Sequence, residues 1–298
     1  MGVNNSIKIW LSEIRANFLV LAVVLVMIGG AGAFHDGSFN PVIFVVTVIG
    51  VVFAHISVDL FNEYSDWKTG IDERTERTPF SGGSGNLQKG LLQPSQVHTA
   101  AWITLIVAFI IGLGLAWVSG WQVLILMAAG GIAIIFYTDY FAKWIIGELI
   151  SGITLGSFVV LGSYFVQTGE ISHSIIWASI PPGILTSLLL LLNEFPDVDA
   201  DRAGGRRHII ILLGRRAAAV IYSVMLMLVF LFPVLGIIID DMPYGVLISF
   251  LTFPLAVYII YRVFRYGTEI PMIIPALGMN VIVVLATDFL MAVGYLIG

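Results

Sequence analysis

The chain contains no cysteine, which excludes disulfides, thiolate metal centres and cysteine nucleophiles and leaves the redox compartment open. Charge is scarce as well. Only 11% of the 298 residues are Asp, Glu, Lys or Arg, far from the composition of an ordinary soluble domain. No stretch shows the ten-residue polar/apolar alternation of barrel strands, so a membrane barrel is excluded. The five histidines, His35, His55, His98, His173 and His208, show no ligand spacing such as His-x-x-x-His, and the sequence gives no sign of a zinc centre.

What the chain has instead is hydrocarbon: 58% of residues are hydrophobic and the mean hydropathy is +0.98. A bilayer core about 30 Å thick needs roughly 20 apolar residues per helix. Nine such runs occur near 17–35, 41–61, 98–118, 121–138, 146–166, 173–195, 217–238, 244–264 and 271–297. The expected fold is therefore an all-α membrane protein of nine transmembrane helices, forming one domain over 1–298. All 14 Lys and Arg residues fall before the first run or in the second, fourth, sixth and eighth connections. The positive-inside rule then places the N-terminus in the cytoplasm, while the net charge of −5 does not bear on orientation. Lys8, the apolar stretch from Phe18 and Ala31-Gly32-Ala33 imitate a leader peptide, but retention as a first helix is expected.

Function is expected in two connections rich in glycine and charge, 62–97 and 196–216. Each opens on one pattern, Asn62-Glu63-Tyr64-Ser65-Asp66 and Asn193-Glu194-Phe195-Pro196-Asp197, with Asp72 and Asp201 beyond. Charges at a hydrocarbon boundary are costly and mark function. Residues four apart share a helix face, so Asn62 pairs with Asp66. Asn193, Asp197 and Asp201 align likewise if the helix survives Pro196, where a kink or loosened turn is expected. Asp59 extends the first face, and the helix is expected to stop at Gly70, before Asp72. Singly, such acids are usually solvated helix-end charges. Their repetition favours an internally duplicated bundle with a central site, and hard oxygen ligands suit Mg²⁺.

Other features are less specific. The run Arg77-Thr78-Pro79-Phe80-Ser81-Gly82-Gly83-Ser84-Gly85 reads equally as an anion cradle or a flexible link. Leu91, Leu92 and Pro94 suggest a short surface helix over the cytoplasmic mouth. Phe136, Tyr137, Tyr140, Phe158 and Tyr164 are candidate cavity aromatics, with core packing the commoner role. Gly112, Gly114, Gly152 and Gly156 suit close helix contact, and Asp288 a buried structural pair.

The first motif with Lys68-Thr69-Gly70-Ile71-Asp72, and Asp197-x-x-x-Asp201-Arg202-Ala203-Gly204-Gly205-Arg206-Arg207, resemble the UbiA superfamily of intramembrane prenyltransferases. Arg15 and the stretch Tyr137, Lys143, Gly147, Glu148 add to the likeness, which spans nearly the whole chain. The dihydroxynaphthoate branch of menaquinone synthesis and its archaeal relatives are the most similar. The resemblance implies a nine-helix bundle around a central cavity and two Mg²⁺ ions. It implies transfer of a polyprenyl group from its diphosphate to an aromatic acceptor such as 1,4-dihydroxy-2-naphthoate, through an allylic carbocation. Asn62 and Asp66 would serve one ion, and Asn193, Asp197 and Asp201 the other. Arg15, Asp72 and Lys143 would act at the reacting centre, and Arg74, Arg77, Lys143, Arg206, Arg207 and Tyr137 would contact diphosphate.

The chain departs from the family pattern at Glu63 and Glu194, which replace Asp or Asn, at Ala16 after Arg15, and in the Thr78–Gly83 run. These departures touch the acceptor, leaving a glycerol-phosphate lipid as an alternative. A CDP-alcohol phosphotransferase lacks support because Asp-x-x-Asp-Gly-x-x-Ala-Arg is absent. A secondary transporter would place its acids nearer the bilayer centre. The expected partners are the two substrates and the lipid bilayer, with no nucleic acid. The expected location is the cell membrane, multi-pass, with the site on the cytoplasmic side.

Overall fold

The computed structural model describes residues 3–75, 77–78, 80–137, 140–240 and 242–298; Pro79 of the glycine-rich run and Thr138 of the fourth apolar run lie outside them. The described residues form helices and turns with no strand. A helix α1 (Val3–Glu13) precedes α2 (Val20–His35) and α3 (Pro41–Thr69), and a single turn α4 (Ile71–Arg74) follows Gly70. Next come α5 (Pro94–Ser119), α6 (Val123–Phe136) and α7 (Gly147–Ser151), which runs through a widened π segment (Gly152–Ser157) into α8 (Phe158–Thr168). The chain closes with α9 (His173–Ala203), α10 (Ile209–Asp240), α11 (Phe253–Tyr266, entered through the 3-10 segment Tyr244–Thr252) and α12 (Ile270–Ile297).

Among the described residues seven helices are long and apolar enough to cross a membrane. The other two apolar segments, α2 and α6, have 16 and 14 residues. At 1.5 Å per residue they reach about 24 and 21 Å, short of a bilayer core. Both are cut by turns, α2 after Arg15 to Leu19 and α6 at Tyr137.

Local chemistry sets the ends. The Asn40 side chain accepts from the backbone N–H of Val42 at 2.9 Å and of Ile43 at 3.2 Å, and Pro41 starts α3. Gly70, in the left-handed region at φ 69°, stops it, as the sequence suggests. Gln93 and Gln96 cap α5 reciprocally. In α9 the helix passes Pro181, Pro182 and Pro196 without ending.

Both acidic motifs lie on helix, as their spacing suggests, in the final turns of α3 and α9, which outrun their apolar stretches by about two turns. One expectation about the connections needs correction. Residues 86–92 form turns instead of a surface helix, with Gly85 (φ 74°) and Gly90 (φ 65°) in a conformation helices exclude. Leu87 and Leu92 instead pack with Ile9 of α1 and with Leu60, Val97 and Ala101.

The main core lies among α2, α8, α9, α10, α11 and α12, where Leu25, Ile28, Leu185, Leu192, Phe195 and Tyr222 are fully buried. Glycine permits the tightest crossings: a Cβ on Gly156 would lie 2.6 Å from Gly183 Cα, and one on Gly29 2.1 Å from Ser163 Oγ. Gly152 is similarly tight against Ser187. Gly112 meets only the flexible Met127, and Gly114 faces open space, so the close-contact reading fails for that glycine. Asp288 is buried in α12 and neither carboxylate oxygen has a hydrogen-bond partner, so the expected pair is not formed among the described residues.

Candidate active site

The α3–α5 pair stands off from the main core and leaves a cavity of about 750 Å³ whose walls include α3, α5, α6, α8 and α9. Val51, Ala54, Phe109, Met127, Phe158 and Leu189 make it a hydrocarbon space. Its polar end is formed by Arg15, Asp59, Asn62, Tyr137 and Asn193. One face of α3, from Thr47 through Val51, Ala54 and Val58 to Asn62, lines this wall over a rise of about 22 Å. Of the candidate aromatics, Tyr137 and Phe158 line the cavity. Phe136 and Tyr140 are exposed and stack edge to face on each other, and Tyr164 is buried with its hydroxyl on Asp36.

Because α9 continues past Pro196, Asn193, Asp197 and Asp201 do share one face. Arg206, in the short turn after α9, joins the two motifs: one terminal nitrogen contacts Asp66 Oδ1 and the other lies 2.9 Å from Asp201 Oδ1. Burial opposes the guanidinium charge, but the carboxylates of Asp66 and Asp201 outweigh it and hold the group above the ordinary arginine range. The Ser81 hydroxyl, which is hydrogen-bonded to Thr78 Oγ1, lies near Asp197. Buried oxygens Asn193 Oδ1, Asp197 Oδ1 and Asp201 Oδ2 have no hydrogen-bond partner. Such orphaned acceptors are the donor set a hard cation would take up.

The glycine-rich run is neither a cradle nor a free link; it folds onto the acids. The Ser84 N–H donates to both Glu63 oxygens, at 2.9 and 3.1 Å, and Ser84 Oγ donates to Glu13 at 2.6 Å. Gln88 donates to Asp72 Oδ2 at 3.1 Å. Gly82, Gly83 and Gly85 all have positive φ, and a Cβ on Gly83 would lie 2.5 Å from Asp72 Oδ2. Arg77 is spent on this loop, donating to Gly82 O at 3.1 Å and to Gln88 Oε1 at 3.0 Å.

Arg15 is the one non-glycine residue with positive φ (47°) among those described, a conformation costing roughly 1–2 kcal/mol. The turn sends its side chain to Glu63, Nε to Oε1 at 3.2 Å, and into the wall of the cavity. Arg15 also borders a second, polar cleft of about 440 Å³ between the α1–α2 turn and residues 78–84. Burial first, and then the neighbouring Asp66 carboxylate, push Asp72 up to about 6.

Other predicted contacts are dispersed. Arg74 and Arg207 are exposed, and Lys143 lies half-buried in the 3-10 turn Phe141–Lys143. The sequence reading also missed a grouping of three residues that the fold packs near Asp201. His208 Nδ1 is 3.4 Å from Glu194 Oε2 and His208 Nε2 is 3.3 Å from Asp201 Oδ2, while Glu148 Oε1 accepts from the Ile209 N–H at 2.9 Å. Glu194, in the second motif, and Glu148, in its Gly-Glu pair, each gave a signal, but nothing in the sequence joins them to His208, because the three meet across separate elements.

A multi-pass helical bundle with a hydrocarbon cavity closing on Arg15, Asp59, Asn62, Tyr137 and Asn193 defines a membrane protein with a mostly apolar binding site that has one polar end. The model described as the UbiA prenyltransferase family matches residues 22–270, and the chain belongs to that family, whose curated relatives are prenyltransferases. It is 28% identical over 218 residues to the 1,4-dihydroxy-2-naphthoate octaprenyltransferase of Bacillus subtilis, covering 70% of this chain and 67% of that one. It is 25% identical over 297 residues to the 2-carboxy-1,4-naphthoquinone phytyltransferase of Synechocystis, covering 97% and 93%. A UbiA homolog from Archaeoglobus fulgidus bound to DMAPP and Mg²⁺ shares the fold at a TM-score of 0.62 and 11% identity, covering 95% of this chain and 99% of that one.

Proposed function

We propose that the protein transfers a polyprenyl group from its diphosphate to a carboxylated aromatic acceptor of the dihydroxynaphthoate type, with two Mg²⁺ ions bound. The observation that carries this reading is the position of Arg15, on the wall of both the apolar cavity and the polar cleft. The cavity takes the prenyl tail and the cleft admits the acceptor, and the two meet at one cation. The naphthoate-prenylating relatives support this choice of acceptor.

Asn62 and Asp66 on α3 and Asn193, Asp197 and Asp201 on α9 fit Mg²⁺, since all are hard oxygen donors and three have orphaned oxygens. When bound, Mg²⁺ neutralises the charge of the diphosphate leaving group. The remaining work falls to side chains. Tyr137 and Asn193 hold the head group at the cavity end, with Arg206, between Asp66 and Asp201, as the nearest of the predicted cations and Lys143, Arg207, Arg74 and Arg77 further out in the connections. The hydrocarbon walls keep water from the allylic cation left when the C1–oxygen bond breaks and diphosphate departs with the electron pair. Arg15 pairs with the acceptor carboxylate and sets the ring over that carbon. Asp72, within electrostatic reach of Arg15, takes the acceptor's hydroxyl proton, so the ring carbon attacks as the new bond forms. Under this reading the bundle has nine spans, with α2 and α6 the short ones, an internal duplication, and a cytoplasmic site in the cell membrane.

The test is diphosphate release by purified protein from geranylgeranyl diphosphate with Mg²⁺, alone and with dihydroxynaphthoate, hydroxybenzoate or a glycerol-phosphate lipid. Release only with dihydroxynaphthoate, lost at least about 100-fold in Asp197→Ala, is expected. Release with the lipid alone would reassign the acceptor, and none with any of the three would end the proposal.

A further inference from the structure

His208 is 2% exposed, and neither ring nitrogen makes a hydrogen bond of proper geometry. A neutral imidazole has one donor and one acceptor, and leaving both unsatisfied in a buried site costs free energy. Around it stand carboxylates in the same condition. Glu148 is 3% exposed with Oε2 orphaned, and Glu194 Oε2 is buried and orphaned. One ligand atom from each of Glu148, Glu194 and His208 lies within 4.8 Å of the others. Each comes from a different element: the start of α7, the last turns of α9, and the residue leading into α10. The neighbouring cation, Arg206, is engaged by Asp66 and Asp201 and does not neutralise this group.

We propose that Glu148, Glu194 and His208 form a dication site separate from the Mg²⁺ ligands, selective for a first-row transition ion such as zinc. Two carboxylate oxygens and one imidazole nitrogen match the mixed donor set zinc accepts, whereas Mg²⁺ favours oxygen alone. A dication also cancels the two glutamate charges. Nδ1 lies 3.4 Å from Glu194 Oε2 and would take the metal, while Nε2 lies 3.3 Å from Asp201 Oδ2, so a small ring rotation on metal binding would let Nε2–H donate to that oxygen. A metal-bound histidine commonly fixes its tautomer through such a carboxylate. The ion would thus position Asp201 for the catalytic site, and it would tie α7, α9 and α10 together behind it.

Histidine spacing along the chain could not reveal this group, because its ligands converge only in the fold. The experiment is zinc uptake by full-length purified protein in excess Mg²⁺, followed by X-ray absorption at the zinc edge. One equivalent of zinc, with one imidazole nitrogen and carboxylate oxygens at about 2.0–2.2 Å, is the expected result. Asp197→Asn should keep that zinc, while His208→Gln and Glu194→Gln weaken it at least about 100-fold. The wild-type spectrum decides the matter even if a variant fails to fold. No retained zinc, or a shell of oxygen alone, overturns the proposal and leaves Glu148 and Glu194 sharing a proton. The readout does not depend on turnover, so it stands or falls separately from the transferase reading.

Discussion

Arg206 pairs with both Asp66 and Asp201 and so links α3 to α9. Removing one partner of a buried ion pair leaves uncompensated charge and costs about 3–5 kcal/mol. Thermal unfolding in detergent without metal should therefore show a large loss for Arg206→Ala, partly restored by added Mg²⁺. Arg206→Lys should fall between, since one ammonium cannot fork to two carboxylates. Asp72 gives a prediction with two opposite signs. Its carboxyl is raised to about 6 in the folded protein against an ordinary value near 3.8. Stability from this group is thus fully present below about pH 4 and lost as pH rises through 6, by on the order of 2–3 kcal/mol in the metal-free protein. Activity needs the ionised base and should rise over the same range. Asp72→Asn should flatten the stability profile and remove the acidic limb of the rate profile; an unchanged limb would assign the base elsewhere.

At the scale of single helices, the same residue type carries different weight at different places. Gly156→Ala forces a Cβ to within 2.6 Å of Gly183 Cα and should lower the unfolding temperature and the yield of folded protein. Gly114→Ala meets nothing within 4 Å and should be neutral or stabilising by up to about 1 kcal/mol. Sequence spacing could not separate these glycines, because the partner across the crossing decides. The motif faces were legible: residues four apart at the ends of α3 and α9 do converge. For α3 their helical state was legible too; for α9 the sequence left it conditional on Pro196, and the helix passes that proline because i to i−4 hydrogen bonds continue around it. Gly70 as the stop of α3 was readable from its chemistry alone. The roles of Glu63 and Ser84 were not, because their partners come from distant segments.

For the whole molecule, the cavity running from Asn62 to Thr47 fixes how long a tail can enter. Val51 lies about 16 Å along α3 from Asn62. Val51→Phe should shift preference towards shorter prenyl diphosphates, visible as a changed ratio of turnover on C10 and C20 donors; an unchanged ratio would mean the tail lies along another wall. Exposed tryptophans bracket the bundle, with Trp117 and Trp121 at the α5–α6 connection and Trp67 and Trp144 at the motif end. Their rings suit the two interfacial layers of a bilayer. The glycine-rich loop, finally, changes how sequence variation in this protein should be read. In a saturation library, positions 82, 83 and 85 will tolerate little besides glycine, and a comparison of relatives would score them as a substrate-binding signature. That constraint comes from the chain itself, from left-handed backbone pressed against Asp72 and Arg77. Selection for folding alone is enough to keep those three letters fixed.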